Sequence, residues 1–225
     1  ELVAIKTMAV DDALDGPADQ QEEEQDGGAE AEGEGEAAEA MARKRSERLV
    51  RSLRRRLDDV EMQRSLSHPH IAPVLDVFAD GASGLLAFVM PLAHGGSVPR
   101  YLSRHRGHLG LGAIAVLVGK MLSAVAHCHE HGILHRDLKL DNFVFATEAR
   151  DAPLQLIDFG MATRCGPGER LNDDGMWATL VIMAPEMFYE WHAHVVKTGG
   201  DVTYGHKADV WAIGVIAYEL IYGTL

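Results

Sequence analysis

The run His135-Arg136-Asp137-Leu138-Lys139-Leu140-Asp141-Asn142, followed sixteen residues beyond its end by Asp158-Phe159-Gly160, constrains this chain more than any other feature. Either string alone could arise by chance. Together they set three oxygen-bearing side chains, Asp137, Asn142 and Asp158, on two segments flanked by the apolar stretches Phe143 to Phe145 and Leu154 to Ile157. Those stretches read as short strands, so the polar residues fall on neighbouring loops. Three further landmarks keep a fixed order around them: Val3-Ala4-Ile5-Lys6 upstream, then Ala184-Pro185-Glu186 and Asp209-Val210-Trp211 downstream. Five such landmarks in one order are not expected by accident.

In this order and spacing the landmarks resemble the serine/threonine protein kinases. Within them, His135 to Phe143 and Pro167-Gly168-Glu169-Arg170-Leu171 look most like the calcium/calmodulin-dependent and calcium-dependent group. The resemblance covers Leu2 to Lys6 and roughly Ser46 to Leu225. It implies an α+β, bilobal protein-kinase-like fold, expected to be truncated at both ends. Residues 1–93 would form a small lobe without its glycine-rich loop, and 94–225 a large lobe cut near its central helix. The implied activity is transfer of the ATP γ-phosphate to protein serine or threonine hydroxyls, with Mg2+ as the metal.

That chemistry asks little covalent work of the protein; it needs an oriented hydroxyl and neutralised phosphates. By resemblance Asp137 is the base or orienting group, and Lys139 steadies the transferring phosphate. Asn142 and Asp158, hard oxygen donors, are the metal ligands. Lys6 grips the ATP phosphates and pairs with an acid on the next helix, which family spacing puts at Asp59. Ala4 and Val144 sandwich the adenine, Met90 is the gatekeeper, and the backbone of Pro91 and Ala93 meets the adenine edge. Two positions depart from the pattern: Asp59 is a methylene shorter than the usual glutamate, and Gln63 replaces an apolar residue. These departures and the missing glycine-rich loop favour the alternative reading, a catalytically impaired pseudokinase acting as a binding or scaffolding module; the intact Lys6, Asp137, Asn142 and Asp158 oppose it.

Charge is uneven along the chain. The net charge is −13, yet residues 11–40 hold 13 acids and no Lys or Arg, and outside that window acids and bases balance. The window has almost nothing apolar to bury, which is a composition for disorder. The acidity therefore belongs to one insert and is no guide to the partners of the whole. Arg43 to Arg56 carries eight basic residues, and Leu49, Leu53, Leu57 and Val60 recur at helical spacing in a pattern running to Leu66. His68-Pro69-His70 should end that helix, because a residue before proline avoids the helical region.

Strands are expected at Val74 to Phe78 and Leu85 to Met90, a hinge at Pro91 to Ser97, and helices at Val98 to His105, Leu111 to His131 and Asp209 to Tyr222. Lys120 interrupts the most apolar run, so a buried helix is expected there rather than a membrane span. Two cysteines, Cys128 and Cys165, give no disulfide framework and suit an intracellular, cytoplasmic setting. The expected partners are ATP and a protein substrate, with neither nucleic acid nor membrane. Calcium or calmodulin regulation would act through segments outside this chain.

Several further readings concern the large lobe. Asp173 and Asp174 stand where a phosphate would usually be added, Thr179 matches a bracing threonine, and Phe188 to Tyr204 reads as an exposed insertion. Glu186 is expected to pair with an arginine beyond Leu225, and Asp209 to anchor the catalytic loop's backbone. Substrate preference stays open: Asp141 would favour a basic residue on the substrate, whereas Ser97 stands where basophilic relatives often place a glutamate. His127, Cys128, His129 and His131 resemble a metal cluster, but neighbouring helical residues point in different directions and do not converge on one ion.

Overall fold

The computed structural model describes residues 2–9, 34–80, 85–104, 109–149, 151–166, 168–171, 181–188 and 203–223. The class is α+β. Strand β1 (Val3–Ala9), helix α1 (Glu34–Arg64), and strands β2 (Asp76–Asp80) and β3 (Leu85–Pro91) come first. They build an antiparallel sheet in the order β1-β3-β2, with Lys6 opposite Phe88 and Ala4 opposite Met90. Alternation along β3 buries Leu86, Phe88 and Met90. Leu53, Leu57 and Val60 of α1 recur every three or four residues and meet that face, as an amphipathic helix on a sheet requires.

Helix α1 begins at Glu34, inside the acidic window, where disorder was expected through residue 40. Its first turns are rich in Glu and Ala, strong helix formers. Low hydrophobicity argues against a core, and it does not forbid a helix. The helix stops before Ser67-His68-Pro69, as the proline requires.

The second part is mostly helical. It contains β4 (Gly96–Ser97), α2 (Val98–Arg104), α3 (Leu111–Glu130), β5 (Ile133–Leu134), a 3-10 turn (Leu140–Asn142), β6 (Phe143–Phe145), β7 (Leu154–Leu156), β8 (Thr163–Arg164) and α4 (Lys207–Tyr222). Helix α3 is long and apolar enough to cross a bilayer by composition alone. Its stripe of Ile114, Leu117, Met121, Ala124, Val125 and Cys128 is buried, and the helix packs against α4 and β7. Gly132, at φ 66°, turns the chain out of α3 in the left-handed region that glycine tolerates best.

The ribbons β5–β8 and β4–β6–β7 were not expected in full, since two-residue strands leave no periodic signal. They matter because they bracket the loops of interest. Ile71 also bridges to Leu156 in parallel fashion, tying the segment after α1 to β7. Strands β2, β3 and β7 are offset from their expected ends by one or two residues, and α4 starts at Lys207.

Candidate active site

The loop between β5 and β6 is fixed from below by one carboxylate. Asp209, on the first turn of α4 and 2% exposed, accepts the backbone N–H of His135 at 2.9 Å and of Arg136 at 3.0 Å. Its Oδ2 also meets His129 Nε2 at 2.8 Å. Burial alone would push the Asp209 carboxyl up; the hydrogen bonds from His129 and the loop hold it below the ordinary value. Arg136 sits at φ 67°, a conformation a non-glycine residue keeps only when its surroundings over-determine it. Here its side chain is bonded too, to the Met161 carbonyl at 2.6 Å and the Tyr204 hydroxyl at 3.0 Å.

Held this way, the loop brings Asp137, Lys139 and Asn142 together. Lys139 Nζ donates to Asp137 Oδ2 at 2.7 Å. Asn142 Nδ2 donates to the Asp137 carbonyl at 2.7 Å and to Oδ2 at 3.2 Å. The amide nitrogen is thereby spent on Asp137, which leaves Asn142 Oδ1 as the atom to offer a cation. Strand pairing of β6 with β7 then delivers the second loop, and Ile157 N–H bonds the Asn142 carbonyl at 2.9 Å. Asp158 follows immediately, at φ 65°.

Across the cleft, Lys6 Nζ meets Asp158 Oδ1 at 2.6 Å. Burial raises the Asp158 carboxyl, but the Lys6 ammonium more than offsets this and keeps it below its usual range. The ion pair at Lys6 is therefore with Asp158, where family spacing pointed to Asp59. Asp59 does line the same small cavity, with Lys6, Val60, Gln63, Phe88, Phe159 and Gly160, and its carboxylate lies 3.9 Å from Arg56. Gln63 is 1% exposed and satisfied, its Nε2 bonding the Ala72 carbonyl at 2.8 Å and touching Met90 Sδ at 3.6 Å.

The five expected adenine contacts take these places. Ala4 is half-buried on β1, with Met90 buried opposite it. Val144 is buried on β6 opposite Ser97. Pro91 ends β3 and is exposed, and the Ala93 carbonyl accepts from Gly96 N–H at 3.1 Å. Gly95 has no room for a side chain: an added Cβ would lie 2.3 Å from the Thr147 carbonyl oxygen.

Three functional partners escaped the sequence reading: His129 under Asp209, Tyr204 under Arg136, and Glu219 beside Asp141. Burial and then the nearby Asp141 charge raise the Glu219 carboxyl. No local signal marks any of them, since each meets its partner across more than 60 residues of chain. In the histidine-rich turn, His129 faces Asp209 and Cys128 faces the core, where burial pushes its thiol up to about 12. Asp173, Asp174, Thr179 and most of the expected insertion lie outside the described residues.

The protein kinase domain profile matches residues 31–225, most of the chain. Among curated proteins, the chain is 35% identical over 167 residues to CDPK-related kinase 1 of Arabidopsis thaliana, covering 74% of this chain and 26% of that protein. It is 34% identical to calcium-dependent protein kinase 14 of Arabidopsis thaliana, covering 74% of this chain and 28% of that one. With calcium-dependent protein kinase 20 of Oryza sativa subsp. japonica the identity is 36%, over 74% of this chain and 27% of the relative. The chain thus spans about a quarter of the length of the curated relatives it matches.

Proposed function

The chain belongs to the protein kinase domain family, and from that premise we propose that its complete protein transfers the γ-phosphoryl group of ATP to serine or threonine hydroxyls of proteins. One observation carries the proposal. Asp137, Lys139 and Asn142 form one hydrogen-bonded group, joined through Ile157 N–H to the loop on which Asp158 meets Lys6. Asp137 is the group to orient the acceptor hydroxyl and take its proton. Lys139, already on that carboxylate, is placed to steady the moving phosphoryl group, and Lys6 to bind the nucleotide phosphates. Asn142 Oδ1 and the Asp158 carboxylate are the hard oxygens suited to Mg2+. When bound, that ion neutralises phosphate charge. Ala4, Val144, Met90, Pro91 and Ala93 are proposed to receive the adenine.

Substrate preference follows from charge. Asp141 and Glu219 couple at the edge of the catalytic loop, and two carboxylates there suit an acceptor segment carrying Arg or Lys. Equal rates on a basic peptide and its alanine counterpart would remove this preference. Calcium control through segments outside the chain is supported by the relatives' names, with calmodulin as one candidate carrier of it; activity indifferent to calcium chelation would refute it. A cytoplasmic location suits two reduced, buried cysteines and is checked by cell fractionation.

The pseudokinase alternative is not favoured, because the phosphate- and metal-facing side chains are intact and Gln63 is hydrogen-bonded. The deciding experiment is phosphate transfer by the complete protein. Asp137→Asn should lower the turnover number by roughly 10²–10⁴-fold, the usual contribution of such a group. Turnover within twofold of wild type would overturn the assignment.

A further inference from the structure

Four imidazoles lie in a row between the segment after α1 and the last turns of α3. His70 and His68 meet edge-on with centroids 5.5 Å apart. His68 stacks on His127 at 5.0 Å and 24°, and His127 meets His131 at 4.2 Å. His127 and His131 are one helical turn apart, so they share a face of α3.

The hydrogen bonds fix which rings must be neutral. The backbone N–H of His70 donates to His68 Nδ1 at 3.1 Å, which requires a lone pair on that nitrogen. His68 Nε2 is then the N–H, and it faces Ser123 Oγ on α3 at 3.1 Å. A proton on Nδ1 would break the first bond. His127 Nε2 is sealed from solvent with no hydrogen-bond partner, so a proton there has no hydrogen bond to hold it. At the ends of the row, His70 Nδ1 donates to the Leu154 carbonyl at 2.9 Å, and His131 Nδ1 to the His127 carbonyl at 2.8 Å.

We propose that this histidine row is an acid-sensitive latch, closed while its rings are neutral and opened when His68 and His127 take up protons. What it holds shut is the joint between α1 and β7. The His70 carbonyl accepts Leu156 N–H at 2.9 Å, Ala72 N–H donates to Leu156 at 3.0 Å, and Gln63 of α1 is tied to the Ala72 carbonyl. Leu156 lies two residues before Asp158, so opening the latch frees α1 and Asp59 from the loop that meets Lys6. The effect on catalysis rests on the kinase reading; the latch does not.

The surrounding charges agree in direction. Burial first, then the neighbouring rings His127 and His70, lower the His68 pKa below its usual 6.5; burial and His131 do the same to His127. Glu130 on α3 opposes both shifts. Arg64, at the end of α1, lines the same hollow as His68 and adds positive charge. Bases with depressed folded pKa values bind protons better when released, so the closed state weakens as pH falls below 6.5.

The test is hydrogen exchange on the complete protein, following the His70 amide, whose bond to His68 is the latch itself. Its opening constant should rise by roughly tenfold per pH unit per proton below pH 6.5, while amides in the middle of α4 stay unchanged. His127→Phe keeps an aromatic ring in the row without a titratable nitrogen, and it should reduce that slope. A His70 protection factor constant from pH 7.5 to 5.5, or a slope unaltered in His127→Phe, would overturn the proposal. Absent phosphate transfer at every pH would instead overturn the kinase reading, and the exchange result would still decide the latch.

Discussion

The two sides of the cleft are held by different physics. On the helical side, Asp209 is almost wholly buried and is bonded by two backbone N–H groups and His129. The bond from His135 N–H is buried, and the left-handed Arg136 is bonded at both backbone and side chain. On the sheet side, Lys6 reaches the site through one ion pair, with 35% and 39% of the two side chains still exposed. A buried carboxylate with three donors resists change, whereas a half-solvated pair is worth little and can be exchanged. The comparison implies that the Asp137 loop is preset and the Lys6–Asp158 pair is adjustable.

The sharpest way to break this contrast is to remove one anchor from each side. Asp209→Ala would leave two buried N–H groups and an imidazole without their acceptor, and should cost about 3–5 kcal/mol. Lys6→Ala should cost at most about 1 kcal/mol, because its ion pair is part-exposed. Urea unfolding of both variants measures the difference; equal losses would mean the two sides are alike.

A smaller effect is expected at Asp59. Asp59→Glu adds a methylene beside the cavity that Lys6 lines, so the longer carboxylate should compete with Asp158 for the ammonium. The expected outcome is a KM for ATP altered by less than about tenfold, with the turnover number little changed, since the chemistry sits on the other side. A change confined to the turnover number would place Asp59 in the rigid half.

The smallest effect is in acid. Asp158 has its carboxyl pKa lowered by Lys6, so the pair contributes fully above the unfolded value near 3.8 and fades as pH falls through the lower folded one. Lys6→Met should therefore narrow the stability gap to wild type only below about pH 4. A gap that closes at pH 6 would assign the titration to the histidines.

What could be read from the chain depended on how local the signal was. The catalytic loop, the Asp158 loop, α3 and α4 announce themselves through fixed spacing or an apolar helical stripe. Two-residue strands such as β5 and β8 carry no period, so they emerged only once Ile133 found Arg164. Helix α1 exposes the limit of composition, because a solvated Glu/Ala helix and a disordered acidic segment look alike on paper. Gln63 looked like a defect in an apolar stack; its acceptor is the Ala72 carbonyl, nine residues away. The partner of Lys6 was expected from family spacing at Asp59, and the ion pair within reach is with Asp158, which arrives from a loop 152 residues away.

By its own letters this sequence determined which chemical groups are present and the order in which two loops present them. Residue type and spacing are local properties, and phosphate chemistry leaves few alternatives for them. The tertiary structure alone decided that Asp209 holds the loop, that Lys6 meets Asp158, and that four histidines separated by up to 63 residues share one row. Those outcomes depend on burial and on distances across the fold, where the loss of a water shell makes the partner in reach decisive.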